Sequence, residues 1–280
     1  MDDAYIWNSL ASYATDVYPL ILQGDLIRYV AGAGGTFLVV NTLLAGLLAR
    51  RQIRDERPDW PQMSREILAS LRTVLIFSLV GLVIALSEKL GWLAIYDDPL
   101  ERGLPYFLIN LVVLIVLHDA WFYWTHRIMH RPGLFRWFHR LHHRSHNPSP
   151  WTSYAFDASE AVVNAIYLPL ALLLMPTSLL AAFLFVAHMM LRNAIGHCGY
   201  EIFPARRDGR PLIGWLTTVT HHDLHHARPR WNMGLYFTWW DRLMGTEDPT
   251  YHAAFARAVG KAAGGSTDGL PKLSAADTKG

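Results

Sequence analysis

The strongest constraint on this chain is a run without charge. Residues 29–49 hold 21 consecutive positions with no Asp, Glu, Lys, Arg or His. A helix needs about 20 apolar residues to cross a bilayer, so this segment predicts a transmembrane helix. Its glycines, Gly32, Gly34 and Gly35, suit close helix packing in lipid. Residues 73–87 are also uncharged but number only 15. They reach spanning length if Arg72 and Glu88 snorkel and the helix continues through Trp92 and Leu93. Residues 104–125 give a third span, interrupted by His118 and Asp119. A fourth apolar stretch, 161–191, has 31 residues, too many for one straight span and too few for two full ones with a turn. Met175-Pro176-Thr177-Ser178 breaks it near the middle. It predicts a helical hairpin, or two short tilted spans.

Composition agrees with a membrane and narrows the rest. Apolar residues make up 52% and charged ones 17%, against a usual charged level of about 25%. The alternative, a buried helix pair in a soluble protein, fits the length of the first span less well. The net charge is +2, from 25 basic and 23 acidic residues, too small to argue for nucleic acid. A single cysteine, Cys198, excludes an intrachain disulfide framework, thiolate zinc ribbons and cysteine-ligated iron–sulfur clusters. Met1-Asp2-Asp3-Ala4 carries no positive n-region, so no cleaved signal peptide is expected. Basic residues follow the first span (Arg50, Arg51, Arg54, Arg57, Arg65) and the third (Arg127, Arg131, Arg136, Arg140, Arg144). The positive-inside rule places both groups in the cytoplasm.

The expected fold is all-α: an integral membrane bundle of about three spans plus a helical hairpin, under a cytosol-facing, histidine-rich helical cap. Residues 1–104 form the N-terminal membrane region with two spans, 105–250 the catalytic region, and 251–280 a largely disordered C-terminal tail.

Fourteen histidines are present, and they are not scattered. HRIMH holds His126 and His130. HRLHH holds His139, His142 and His143. HDLHH holds His222, His225 and His226. Positions i, i+3 and i+4 share one helix face, so each triplet is expected to offer three imidazoles in one direction. Eight imidazoles exceed the four ligands of a tetrahedral zinc and are about right for two metals; imidazole suits iron, zinc, copper and nickel. A lone histidine such as His252 reads as an ordinary polar residue. Neither Glu-x-x-His, the motif of soluble di-iron bundles, nor HExxH of zinc proteases occurs in the chain. The metals are expected to be held by nitrogen.

HDAWFYWTHRIMH, FHRLHHRSHNPSPWTSYAFDASE, NAIGHCGYEIFP and THHDLHHARPRWNMGLYFTWWDRLMGTE, over roughly residues 105–247, resemble the sterol desaturase and fatty acid hydroxylase superfamily of membrane di-iron oxygenases. The resemblance implies two iron ions, with dioxygen and two electrons used to hydroxylate or desaturate an aliphatic lipid carbon. It adds His197 as a ligand, giving nine: His126, His130, His139, His142, His143, His197, His222, His225 and His226. Some members carry H-x-x-x-H where this chain has Asn193 and His197. Asn193 through a water, or His118, His146 or His221, is the candidate to complete the set. Asp157 stands where many members have a histidine.

Ligating imidazoles donate their second N–H to a carboxylate or carbonyl. Asp119, Asn193 and Asp223 are the candidates for such roles, with Glu160 and Glu201 flanking the clusters. The chain shows no haem-binding or flavin-binding fingerprint, so an external electron donor of cytochrome or ferredoxin type is expected. The substrate is expected to be a membrane lipid, and the location a bacterial inner membrane or the endoplasmic reticulum. The rival readings are a zinc-dependent membrane lipid hydrolase and a histidine-rich metal transporter.

Overall fold

The computed structural model of the protein describes residues 3–263. Helix α1 is Asp3–Tyr29, and the chain stays helical, more loosely wound, through Val30–Gly34 and Phe37–Leu43. The other principal helices are α2, Trp60–Lys89; α3, Leu104–Met129; α4, Ala158–Leu174; α5, Leu179–Gly196; α6, Val219–Ala227; and α7, Tyr251–Ala263. Local chemistry sets their starts. Asp59 caps α2 by accepting from the Gln62 N–H at 2.8 Å, with Pro61 in the first turn. Ser178 caps α5 through Ala181 N–H at 3.1 Å, and Thr218 caps α6 through His221 N–H at 3.3 Å.

Four helices are long and apolar enough to cross a membrane: Trp7–Leu43, Trp60–Lys89, Leu104–Met129 and Leu179–Gly196. Ala158–Leu174 is apolar but shorter. Their outer faces are oily. Leu75, Leu79 and Val83 recur every four residues along α2, and Leu108, Ile109 and Val112 stand out from α3, all about half exposed or more. Such continuous apolar faces suit lipid rather than water. The chain is a multi-pass helical membrane protein.

The hairpin predicted over 161–191 is α4 and α5, broken at Met175-Pro176. Its tip is fastened to the connection between α2 and α3. Ile95–Tyr96 pairs in parallel with Thr177–Ser178, Tyr106 Oη donates to Pro176 O at 2.7 Å, and Asn110 Nδ2 donates to Thr177 Oγ1 at 3.2 Å. The hairpin therefore reaches the end of the bundle opposite the histidines.

The first span differs from its sequence expectation. The helix begins at Asp3, and the apolar window runs from Trp7 to Leu43. Residues 29–49 lie mostly beside the cap: Val40 and Ala45 pack against Cys198, Tyr200 and Val219. Two of the three glycines do serve close approach. A Cβ on Gly32 would stand 2.5 Å from Met190 Cγ, and one on Gly34 would stand 3.1 Å from Trp151; Gly35 faces open space.

The cap is bolted to α2 and to the segment after α1. Glu66 accepts from Ser149, Ser70 Oγ donates to Trp151 O at 2.9 Å, and Arg72 donates to Phe156 O. Arg51 donates to Glu201 O at 3.0 Å. The expected division at residue 104 is thus bridged by many contacts. Residues 251–263, expected as part of the tail, form helix α7. Tyr251, Ala254, Phe255 and Val259 form a buried stripe of α7 packed on Leu224, spaced i, i+3, i+4 and i+8 as an amphipathic helix requires. Residues 264–280 lie outside the described residues.

Candidate metal centre

The nine sequence-predicted histidines all converge, in two groups. His126, His130, His139, His143 and His225 form the first, and His142, His197, His222 and His226 the second. Within each group one nitrogen per ring lies within 4.8 Å of all the others. Eight of the nine are buried and His130 is nearly so.

The triplets do not point one way, as their spacing had suggested. Each splits between the groups: His139 and His143 go to the first and His142 to the second; His225 goes to the first and His222 and His226 to the second. Adjacent residues on a helix diverge by about 100°. The two His-His pairs therefore straddle the line between the groups. The 139–143 segment is also not one regular helix. Phe135–Phe138 is a single helical turn, His139 has φ −144°, and a tight turn follows over His142–Arg144. Asp157, at the start of α4, steadies this segment by accepting from Leu141 N–H at 2.8 Å. That is the work of the residue that departs from the family's histidine.

The chemistry of the donors fits cations. His126 Nδ1 donates to Met233 O at 2.8 Å, and His139 Nδ1 lies 2.7 Å from a Glu160 carboxylate oxygen. With the His126 proton on Nδ1, its Nε2 carries a lone pair, and it stands 2.8 Å from His139 Nε2. In the second group His197 Nδ1 donates to Asn193 O at 2.7 Å. Its Nε2 lies 3.0, 3.1 and 3.3 Å from Nε2 of His222, His226 and His142. Facing lone pairs repel, and a cation between them removes the repulsion. Nitrogens that are each roughly 2.1 Å from one ion stand about 3 Å apart when adjacent, which these separations match.

Burial holds the imidazoles neutral. It pushes His139, His142, His143, His222, His225 and His226 well below the ordinary histidine range, and repulsion from neighbouring rings adds to it. His130 is lowered for the same reasons. His197 is lowered to about 4, chiefly by burial. Neutral rings are the form that binds metal.

The partners of these rings are mostly not those expected. Asp119 bonds none of the nine rings; it accepts from the N–H groups of Tyr236 and Phe237 at 2.9 and 3.2 Å and from Trp239 Nε1 at 2.9 Å. Asp223 points the other way, to Arg54 at 2.7 Å. Its place inside HDLHH put it on the far face of α6. Asn193 supports His197 through its backbone carbonyl, while its side chain donates to Ser153 O at 2.6 Å. His118, His146 and His221 stand outside both groups. His118 pairs with Tyr236 Oη at 2.9 Å, His146 is exposed, and His221 lies 3.6 Å from Asp241. His252 faces Glu247 at 3.9 Å. Glu201 fixes the entry to α6 through Thr220 N–H at 2.8 Å.

Two features escaped the sequence reading. Glu160, noted there only as flanking, is the carboxylate that lies 2.7 Å from one of the nine rings, His139. The loop 231–234 supplies two carbonyls, Trp231 O to His225 Nδ1 at 2.7 Å and Met233 O to His126 Nδ1. Asp241 holds that loop by accepting from the N–H groups of Met233 and Gly234 at 2.8 and 2.9 Å. Burial raises the Asp241 carboxyl to about 6, against the hydrogen bonds that lower it. Asn232 takes φ +57° there, a conformation asparagine tolerates. Gly234 is required: a Cβ would meet Phe237 O at 2.6 Å. The signal was in the sequence as WNMG followed by WD, but only the loop's path reveals it.

Comparison with known proteins agrees with this architecture. A fatty acid hydroxylase family model matches residues 111–246. The chain is 28% identical over 249 residues to a Delta(7)-sterol 5(6)-desaturase of Gibberella zeae, covering 88% of this chain and 75% of that one. It is 27% identical over 257 residues to a Delta(7)-sterol 5(6)-desaturase of Schizosaccharomyces pombe, covering 85% and 81%. It is 24% identical over 277 residues to a very-long-chain aldehyde decarbonylase of Oryza sativa subsp. japonica, covering 90% of this chain and 43% of the relative. No solved structure matches. The match over the histidine-rich region and the alignments over most of the chain support the sterol desaturase and fatty acid hydroxylase superfamily of oxidoreductases.

Proposed function

We propose that the protein is a di-iron oxygenase that hydroxylates or desaturates an aliphatic carbon of a membrane lipid. The observation that carries this reading is the convergence of nine neutral imidazoles into two adjacent groups at one end of a membrane bundle. His126, His130, His139, His143 and His225 would hold one iron, and His142, His197, His222 and His226 the other. Iron supplies the activation of dioxygen that no side chain provides. Hydroxylation converts C–H, O2, two electrons and two protons into C–OH and one water. Desaturation converts adjacent CH2 groups with the same reagents into an alkene and two waters.

The chain's own residues bind, orient and shield. Glu160 and the carbonyls of Trp231, Met233 and Asn193 fix ring orientation. The buried cap excludes water from the rings. Two electrons enter from an external donor of cytochrome or ferredoxin type, since one cysteine is too few to hold an iron–sulfur cluster. Exposed Arg131, Arg136, Arg140 and Arg144 offer such a donor a basic surface beside the first group. The arginine pattern favours a cytoplasmic cap, in either a bacterial inner membrane or the endoplasmic reticulum. Labelling, from outside intact cells, of a cysteine introduced near residue 270 would refute the orientation.

The rivals fit less well. A catalytic zinc site uses about three protein ligands and an open position, not nine. A transporter should line its pathway with ligands, whereas these sit together at one end. The deciding measurement is elemental analysis of the detergent-purified protein. Close to two irons per chain is the expected result. One zinc or no metal in folded protein would overturn the reading.

A further inference from the structure

A cavity of about 440 Å³ lies between α1, α2, α4 and α5, within the ~300–1,000 Å³ range of small-molecule sites. Its walls are mainly hydrocarbon; its polar lining is Asp25 and Arg28 on α1, Asn164 and Tyr167 on α4, and His118 on α3. On α4, residues 160, 164, 168 and 172 share one face at four-residue spacing. Glu160 meets ligand His139. One turn on, Asn164 enters the cavity; after it come Leu168 and Leu172. On this face the cavity is therefore polar toward the histidines and apolar toward Leu172, and Ile95 and Leu179 line it near the hairpin tip.

Asn164 is more than nine-tenths buried, and neither its Oδ1 nor its Nδ2 has a partner. A buried amide without hydrogen bonds is costly, and here it faces space that a ligand can fill. Across the same cavity stand Asp25 and Arg28, joined at 2.8 Å. Arg28 precedes Tyr29, which stacks on Tyr154 at 5.8 Å, so this pair also lies at the histidine end. Arg28 Nε is buried without a hydrogen-bond partner. The ion pair makes this end polar without net charge.

We infer that the cavity binds one uncharged lipid by a hydroxyl group, held by Asn164 beside the Asp25–Arg28 pair, with the hydrocarbon running toward Ile95 and Leu179. A hydroxyl both donates and accepts, and so satisfies both ends of the amide. A carboxylate or phosphate would bring unbalanced charge beside Asp25 in apolar surroundings. A hydrocarbon with no polar group would leave Asn164 unsatisfied. This inference rests on the lipid-oxidation reading for the role of the cavity. Binding itself needs no metal, so the two fail separately.

The test is equilibrium binding to the purified full chain in detergent, with and without bound metal, using octadecanol, octadecanoate, octadecane and cholesterol. At least one of the two alcohols should bind about tenfold or more tighter than octadecanoate and octadecane; which one does so tells a linear alcohol from a sterol. Asn164→Leu should weaken that alcohol about tenfold and leave octadecane unchanged. Asp25→Asn uncovers the Arg28 charge and should raise octadecanoate affinity until the preference disappears. Octadecanol with a photoreactive group at its chain end should crosslink near Ile95 or Leu179, not near Arg28. Thermal midpoint and metal content serve as folding controls for both variants. Equal binding of octadecanoate by the unmodified protein would overturn the inference. So would an Asn164→Leu protein that is folded and keeps full alcohol affinity, or crosslinks confined to the Arg28 end.

Discussion

The two histidine groups are close neighbours, yet they are supported differently. In the first, His126 and His225 donate from Nδ1 to the carbonyls of Met233 and Trp231, and His139 Nδ1 lies 2.7 Å from a Glu160 carboxylate oxygen without hydrogen-bond geometry. In the second, His197 Nδ1 donates to Asn193 O, while His226 Nδ1 has no hydrogen-bond partner, as is also true of His143 in the first. The first group also has five rings against four. Its supports come from separate parts of the chain, a loop and a membrane helix, whereas the second leans on α5 and α6 themselves. Partners on the second nitrogen fix ring orientation and raise ligand basicity. The first group is thus the better prepared metal site, and the second should release its ion first under chelation.

The sharpest way to break this comparison is to remove adjacent rings. His225→Ala should empty the first group and His226→Ala the second, each taking bound iron from about two per chain to about one. Both should reduce turnover to background, and His252→Ala should change neither quantity. Loss of both ions from either variant would show that the groups act as one site.

Next in size is Glu160→Gln, which keeps the volume but replaces the carboxyl group facing His139. It should weaken metal binding in the first group by about 10–100-fold and leave the second unaltered, as followed by competition with a chelator. Gly234→Ala should act on the same group through the backbone. The new Cβ must displace Phe237 O, at a cost of about 1–3 kcal/mol, and the Met233 carbonyl moves with it. Lower thermal stability with reduced occupancy of the first group only is the expected result.

The mildest test is acid. The rings of both groups outside the spans have folded pKa values lowered chiefly by burial, His197 to about 4, from about 6.5 in an unfolded chain. As pH falls below about 6.5, the unfolded state takes up more protons than the folded one. Stability of the metal-free protein is therefore full above that pH and declines toward pH 4. Bound metal should delay the decline, and the first group should hold its ion to lower pH than the second. A thermal midpoint that is flat from pH 7.5 to 4.5 would contradict the buried, neutral rings.

Much of this was legible in the sequence, and some could not be. The uncharged runs announced a membrane bundle, because hydrocarbon excludes charge whatever the tertiary arrangement. The Pro176 break announced the hairpin. The histidine spacings named eight of the nine converging rings, because i, i+3 and i+4 recurrence is local geometry; the ninth, His197, came from the family resemblance. The tertiary structure alone decided how they divide. Whether His142 and His143 serve one ion or two depends on what stands on each side of the segment. Partner choice was equally hidden. Asp119 and Asp223 are nearer in sequence to ligand histidines than Glu160 is to His139, but sequence distance does not say which face a side chain takes. The loop carbonyls of Trp231 and Met233 carry no side-chain signature at all. Every residue has a carbonyl, and only the path of the chain brings these two to an imidazole.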